Sequence, residues 1–371
     1  MKYLISGGGT GGHIFPAVSI ANALQELDKE SDILFVGALG RMEMERVPQA
    51  GYKIIGLPVR GFDRKHLWKN IPIMMDLLRS MWQARKIVKT FQPHVGIGVG
   101  GYASGAAMKV ASTMGIPILL QEQNGFAGVT NKLLKNNASK ICVAYEGMER
   151  FFPADKIILT GNPVRQNLMN GSRDEAIEYF NETYGVKFSK DKKTMLIIGG
   201  SLGARTINEG ILSHLDTLAQ HDIQVIWQTG KSYYNDCKIK AQEHIGKWLI
   251  CTDFLGRMDL SYAIADLVIS RAGASSISEL CLLGKPCILV PSPNVAEDHQ
   301  THNAMALVSK NAAVMVKDRD AKEQMVCTSL DILEDEEQLN TLRKNILELA
   351  QKDSARRIAE EVIKLAKEKQ K

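Results

Sequence analysis

Apolar and polar positions set a pattern in the first thirty residues that the chain later repeats. Tyr3-Leu4-Ile5 is a short unbroken apolar run, as in a strand buried on both faces. It leads into Gly7-Gly8-Gly9-Thr10-Gly11-Gly12-His13 and then into residues 14–27, whose apolar positions recur at helical spacing. Near Lys193 the order returns: Thr194-Met195-Leu196-Ile197-Ile198, then Gly199-Gly200-Ser201-Leu202-Gly203, then Ile207, Ile211, Leu212 and Leu215 in a helical run. Further strand patterns at 32–36, 95–99, 116–120, 140–143, 224–227, 267–270 and 286–290 alternate with helical stretches. This alternation predicts parallel sheets covered by helices on both faces, in two Rossmann-like domains that begin alike. Gly161-Asn162-Pro163-Val164-Arg165 continues neither pattern and precedes a polar stretch to Lys193, which puts the domain boundary there. Near the end, Ile358, Val362 and Leu365 stand at helical spacing among charges, predicting a helix docked on a domain surface.

With 371 residues, 45% hydrophobic and 23% charged, the chain has room for two cores and falls outside the disordered, collagenous and coiled-coil classes. Its net charge of +5 is unevenly spread: residues 1–162 hold 19 basic and 12 acidic side chains, the remainder 27 and 29. A basic first half points to an anionic partner, either nucleic acid or an acidic membrane surface. Residues 60–89 concentrate it, with eight Lys or Arg against Asp63 and Asp76. Among them Ile71, Met74, Met75, Leu78 and Trp82 share one helical face. Core packing accounts for part of such a stripe; the surplus of large apolar groups predicts contact with a membrane surface. The six cysteines are scattered without a C-x-x-C pair, which suits a reducing compartment. The first residues leave no room for a signal-peptide apolar region, and no window holds 18 consecutive apolar residues. The expectation is a cytoplasmic protein whose membrane contact is peripheral.

Gly7-x-Gly9-x-x-Gly12 fits the dinucleotide fingerprint, but Phe35-Val36-Gly37-Ala38 ends the second strand without the acid that holds a nicotinamide ribose. What remains is a set of bare backbone N–H groups at a helix N-terminus, suited to an anionic or strongly polar ligand, with a tight positive-φ turn as the structural alternative. Gly199-Gly200-Ser201-Leu202-Gly203 reads as a second phosphate loop, or as a G-x-S-x-G hydrolase elbow with Ser201 as nucleophile and Asp266 and His299 behind it. The phosphate reading is preferred because it gives both glycine loops work. Arg271-Ala272-Gly273-Ala274 opens another helix, with Glu279 about two turns in, where a carboxylate can bind a sugar diol. Gln121-Glu122-Gln123-Asn124 follows a strand at its carboxyl end, where open α/β sheets bind ligands. His299 and His302 lack the further ligand a metal site needs, and the D-x-D triplet Asp318-Arg319-Asp320 stands late, in a charged stretch where chance accounts for it. Neither a metal nor a cofactor is expected.

Six segments in order, Gly8-Gly9-Thr10-Gly11-Gly12-His13, Gly100-Gly101-Tyr102-Ala103-Ser104-Gly105, Glu122-Gln123-Asn124-Gly125, Gly161-Asn162-Pro163-Val164-Arg165, Gly199-Gly200-Ser201-Leu202-Gly203-Ala204-Arg205 and Arg271 to Glu279, resemble the MurG glycosyltransferases of glycosyltransferase family 28. The likeness spans nearly the whole chain. That family moves N-acetylglucosamine from UDP-GlcNAc onto the muramoyl sugar of undecaprenyl-diphosphate-linked MurNAc-pentapeptide (lipid I), making lipid II for peptidoglycan. The resemblance implies an α/β protein of the GT-B fold, two Rossmann-like domains facing a central cleft, and an inverting, metal-independent reaction. It implies an N-terminal acceptor and membrane-facing domain of residues 1–162, joined by a C-terminal helix at about 350–371, and a donor-binding domain of residues 163–349. The implied location is the cytoplasmic face of the plasma membrane, with anionic inner-leaflet phospholipid as a partner and no nucleic acid.

Residue by residue, the resemblance implies that Ser201 and Arg165 contact the diphosphate, Glu279 the ribose, and Asn124 and Gln300 the aminosugar. Leu255 would meet the uracil through backbone groups, Ala274 would belong to the donor site, and Thr10, Gly11 and Gly12 would face the transferred sugar. Gly101 and Tyr102, with Ile71, Met75, Leu78 and Trp82, fall on the acceptor and membrane side. Asp298-His299-Gln300-Thr301-His302-Asn303 departs from the glutamine pair of some members. For the base that deprotonates the acceptor hydroxyl, His13 is the first candidate, since a neutral imidazole accepts a proton near pH 7, and a capping or sugar-orienting role is its alternative. Glu122 is the second candidate. A UDP-GlcNAc 2-epimerase, which shares fold and donor, is the nearest rival activity.

Overall fold

The structure, a computed structural model, describes residues 1–61, 70–164, 166–200 and 202–370, with the backbone alone at 70, 71, 166, 167, 296 and 370. The expectations for Arg165, Ser201 and the Ile71 side chain therefore lie outside the described residues. The chain divides into two compact units, Met1–Val164 with Gln351–Lys371, and Arg165–Ala350.

In the first unit, among the described residues, seven strands form one parallel sheet: β1 (Lys2–Gly7), β2 (Asp32–Ala38), β3 (Lys53–Leu57), β4 (Val95–Gly100), β5 (Ile118–Glu122), β6 (Lys140–Val143) and β7 (Ile157–Leu159). Their spatial order is β3-β2-β1-β4-β5-β6-β7. Alternation along β1 divides the core. Tyr3 and Ile5 pack under the helices Gly11–Leu27 and Ser354–Gln370, and Leu4 packs on the opposite face under Asn70–Phe91 and Tyr102–Thr113. The C-terminal helix is thus part of this core, burying Ile358, Ala359, Val362 and Ala366. The glycines of Val95-Gly96-Ile97-Gly98-Val99-Gly100 let the helix Tyr102–Thr113 lie close. A Cβ on Gly98 would stand 2.9 Å from Met108 Cγ and 3.0 Å from Ser104 Oγ.

The second unit repeats the plan with β8 (Lys193–Ile198), β9 (Ile223–Gln228), β10 (Leu249–Thr252), β11 (Leu267–Ser270), β12 (Cys287–Leu289) and β13 (Val314–Met315), all parallel, in the order β10-β9-β8-β11-β12-β13. Trp227 on β9 is fully buried, and its indole N–H donates to Asn208 Oδ1 at 2.9 Å, which satisfies the one polar atom of that side chain. The strands that the apolar pattern does not announce are β3, β7, β10 and β13. These are the outermost strands of the two sheets and run for only two to five residues, too short to show a period; β10 is buried throughout, whereas Ile55 of β3 is 41% exposed. In each sheet the order reverses once, between β1 and β4 and between β8 and β11. At such a point the loops leaving the strands' carboxyl ends diverge and open a crevice.

At the opposite, amino edge of the second sheet Lys285 is largely withdrawn from water, and its Nζ donates to Ala265 O at 2.9 Å. Burial pulls its ammonium down from 10.5 to about 8, with the charge of Asp266 pulling the other way. Between those two values the unfolded chain holds a proton that the folded chain has released, so this group's contribution to stability rises as pH climbs through that window. Urea midpoints of the wild type and Lys285→Met at pH 7.5 and pH 10 should therefore show the wild type gaining on the variant at the higher pH. A difference independent of pH would mean Lys285 stays protonated in the folded state.

Candidate active site

At the β8/β11 reversal, the loops after these strands line a cavity of about 670 Å³ within the second unit. Two helices begin at its wall, Arg205–Ser213 and Ala274–Leu283, and Ala204, Thr206, Gly273 and Ser276 contribute to the lining. Two helix N-termini bring unpaired backbone N–H groups and the positive ends of two dipoles to one small volume, an arrangement that favours a diphosphate. The turn after β8 can hold its shape only with glycine. Gly200 and Gly203 both have φ of +85°, and a Cβ on Gly203 would stand 2.1 Å from Thr229 O. Gln228, at the carboxyl end of β9, ties this turn to a neighbouring loop: its amide donates to Gly200 O and accepts from Leu255 N, both at 3.2 Å.

Charged groups around the cavity are mutually engaged. Arg271 donates to Val290 O at 3.1 Å and pairs with Asp318, whose second oxygen accepts from the Thr206 hydroxyl at 3.0 Å. Asp318 thus has a defined place in the cavity wall, as counter-ion to Arg271. Among the described residues no group of three or more His, Cys, Asp or Glu side chains gathers as a metal site. Glu279 is buried on the helix Ala274–Leu283, and one of its oxygens accepts from Tyr262 OH at 3.0 Å. Gln300 lines the cavity with its carbonyl accepting from Ser292 N at 2.8 Å. Before it, Glu297 and Asp298 both take left-handed backbone conformations, φ 55° and 49°, which are uncommon for non-glycine residues. The hydrolase alternative fails on position. Asp266 sits at the amino end of β11, bound by Arg173 and by Thr194 N at 2.8 Å, at the other end of the sheet from the loop that carries position 201.

The first unit has its own reversal between β1 and β4. Gly8 N donates to Gly100 O at 3.3 Å, and a Cβ on Gly101 would stand 2.5 Å from Gly8 O, so these two turns touch backbone to backbone. Thr10 is the N-cap residue of the helix Gly11–Leu27, and Gly11, Gly12 and His13 form its first turn. His13 Nδ1 lies 2.9 Å from Gly8 O. A carbonyl only accepts, so Nδ1 is the donor in this contact, and in the neutral ring that tautomer leaves the lone pair on Nε2. The ring rests against Gly100, where a Cβ would stand 2.9 Å from Nε2. Tyr102 opens the next helix and is 55% exposed. Glu122, 2% exposed, accepts from Asn124 N at 3.2 Å on one oxygen and from Gly128 N at 3.0 Å and Asn131 Nδ2 at 2.9 Å on the other, so it organises the loop that carries Asn124.

On the helix Asn70–Phe91, Leu77, Met81, Ala84 and Val88 face the core, whereas Met74, Met75, Leu78 and Trp82 are between 49% and 68% exposed. The apolar stripe is therefore a surface, and the core is served by a different face of the same helix.

Comparison with known proteins accords with this geometry. Residues 3–143 match the Glycosyltransferase family 28 N-terminal domain and residues 194–362 the Glycosyltransferase family 28 C-terminal domain. The chain is 58% identical over 370 residues to the UDP-N-acetylglucosamine–N-acetylmuramyl-(pentapeptide) pyrophosphoryl-undecaprenol N-acetylglucosamine transferase of Parabacteroides distasonis, covering 99% of each. The chain belongs to glycosyltransferase family 28. The crystal structure of MurG from Acinetobacter baumannii, 25% identical, superposes with a TM-score of 0.79 over 98% of this chain and 99% of that one, as the GT-B fold of family 28 requires. UDP-GlcNAc 2-epimerase from Neisseria meningitidis, at 15% identity, 98% and 100% coverage and a TM-score of 0.67, shares the fold alone.

Of the residues that family 28 suggests for the donor, Ala274, Glu279, Gln300 and Leu255 lie on the elements around the β8/β11 cavity, and Gln300 lines it. Thr10, Gly101 and Asn124 lie on the loops after β1, β4 and β5, and Gly11, Gly12, His13 and Tyr102 on the first turns of the helices that follow β1 and β4. Tyr262 and Gln228 escaped the sequence reading for different reasons. Tyr262 stands in the apolar run Leu260-Ser261-Tyr262-Ala263-Ile264, which reads as core; Gln228 is a polar residue closing an apolar strand, a signal that marks the ligand end of such sheets. With Glu279 on the ribose, as the family resemblance implies, removing the Tyr262 hydroxyl should cost about 1 kcal/mol, or about fivefold in UDP affinity. Calorimetry on Tyr262→Phe should show that loss for UDP and none for inorganic pyrophosphate, which has no ribose.

Proposed function

We propose that this chain transfers N-acetylglucosamine from UDP-GlcNAc to the muramoyl sugar of undecaprenyl-diphosphate-linked MurNAc-pentapeptide, forming lipid II with inversion at the anomeric carbon. The observation that carries this reading is the 58% identity, along 99% of both chains, to a transferase named for that donor and acceptor. The cavity at the β8/β11 reversal supports it, because two helix N-termini, a buried carboxylate and a cavity-lining amide suit a nucleoside diphosphate sugar.

In this reading the second unit takes the donor. Arg165, the N–H groups around Ser201 and the two helix N-termini take up the negative charge that develops on UDP as it leaves, Glu279 holds the ribose, and the Leu255 backbone meets the uracil. Gln300 and Asn124 hold the aminosugar. The first unit takes the acceptor through Gly101, Tyr102 and the loop of Thr10, Gly11 and Gly12. The acceptor hydroxyl attacks C1 from the face opposite UDP, its proton passes to Nε2 of His13, and the C1–O bond to the diphosphate breaks with both electrons going to UDP. His13 suits the base role better than Glu122, whose two oxygens are already occupied by backbone and side-chain donors. No metal enters the scheme, since fixed positive groups supply the charge a metal would bring.

For location, no helix among the described residues is long and apolar enough to cross a membrane. The exposed stripe of Met75, Leu78 and Trp82, flanked by exposed Arg79, Arg85, Lys86 and Lys89, supports peripheral binding to anionic lipid on the cytoplasmic face, where the lipid-linked acceptor resides.

His13→Ala should lower kcat for transfer from labelled UDP-GlcNAc to lipid I by roughly 10²- to 10⁴-fold with UDP affinity unchanged, and excess EDTA should leave the wild-type rate as it is. An active alanine variant would move the base role elsewhere, and chelator sensitivity would require a metal. For the membrane, each basic group near anionic lipid adds about 1 kcal/mol, so cosedimentation with anionic vesicles should weaken steeply with salt. Leu78→Glu with Trp82→Glu should abolish it; equal binding to neutral vesicles, or none at low salt, would leave the stripe without this role.

A further inference from the structure

His13 takes its direction from one peptide unit, and a buried carboxylate holds that unit from the other side. Glu43, the first residue of the helix Glu43–Gln49, is fully buried, and among the described residues no cation pairs with it. A carboxylate so placed is tolerable only if hydrogen bonds satisfy it. Its two oxygens accept from Gly9 N at 2.9 Å and from Ala38 N at 3.0 Å, which joins the turn after β1 to the end of β2. Two glycines make room for it: a Cβ on Gly8 would stand 2.1 Å from Oε1, and one on Gly37 would stand 2.6 Å from Cγ.

The N–H that Glu43 holds and the carbonyl that His13 Nδ1 approaches at 2.9 Å belong to the same peptide, Gly8–Gly9. In a trans peptide these two groups point in opposite directions, so carboxylate, peptide and imidazole form a chain of hydrogen bonds. Negative charge at the N–H end strengthens the carbonyl as an acceptor. We propose that Glu43 is a positioning residue of the transfer reaction, fixing the tautomer and direction of His13 through the Gly8–Gly9 peptide so that the Nε2 lone pair is presented. This rests on His13 being the base.

The test combines ring-nitrogen NMR with kinetics on the full chain. In ¹⁵N-histidine-labelled wild type, the resonances missing from His13→Ala identify His13, which should be the Nδ1–H tautomer. Glu43→Gln keeps the side chain's length but turns one acceptor into a donor that faces a backbone N–H. It should mix the His13 tautomers and lower kcat about tenfold or more, with UDP affinity unchanged and no further loss when combined with His13→Ala. The proposal is overturned by an Nε2–H tautomer in the wild type, which needs no variant, by full kcat in a folded Glu43→Gln, or by the same fold loss in the His13→Ala background. Full activity in His13→Ala itself would instead sink the base assignment, and this proposal with it.

Discussion

Close backbone approach at the glycine turns that follow β1 and β8 is the constraint on which the rest depends. Gly8 meets Gly100 and Gly101 in the first unit, and Gly203 meets Thr229 and Gly230 in the second, at separations that leave no volume for a Cβ. The same absence of side chains leaves N–H groups at the following helix N-termini exposed to a ligand. Tight packing and ligand binding therefore make one demand on the sequence, which is why glycine clusters stand at 7–12 and 199–203.

Around these turns, buried carboxylates act as organisers. Glu43 fixes the turn after β1, Glu122 the loop after β5, and Glu279 is itself held by Tyr262. Glu43 and Glu279 accept from residues 34 and 17 positions away and so fix relations that local backbone preference leaves open, whereas Glu122 closes its own loop through donors two to nine residues on. On the surface, the helix Asn70–Phe91 divides its apolar residues between two faces, one in the core and one in solvent.

Much of this was legible in the sequence because the relevant physics is local. A glycine cluster between an apolar strand and a helix announces a ligand-binding turn, and strands buried on both faces announce themselves by apolar runs. The outermost strands did not, because runs of two to five residues are too short to show a period. Glu43 and Tyr262 did not either: their roles exist only once the loop 34 residues away, or the helix 17 residues on, has been folded against them. Asp318 was visible as a triplet member, yet only the structure pairs it with Arg271. Conversely, the stripe on 70–91 left core and surface as competing readings, and burial of Leu77, Met81, Ala84 and Val88 decides which face is which.

Release of UDP from UDP-GlcNAc by the wild-type enzyme, measured with and without lipid I in anionic vesicles, tests the central claim most directly. The account predicts release that depends on lipid I and matches, mole for mole, the formation of a β-linked disaccharide lipid. Release at the same rate without lipid I, or conversion of the donor to its 2-epimer with no lipid product, would contradict it.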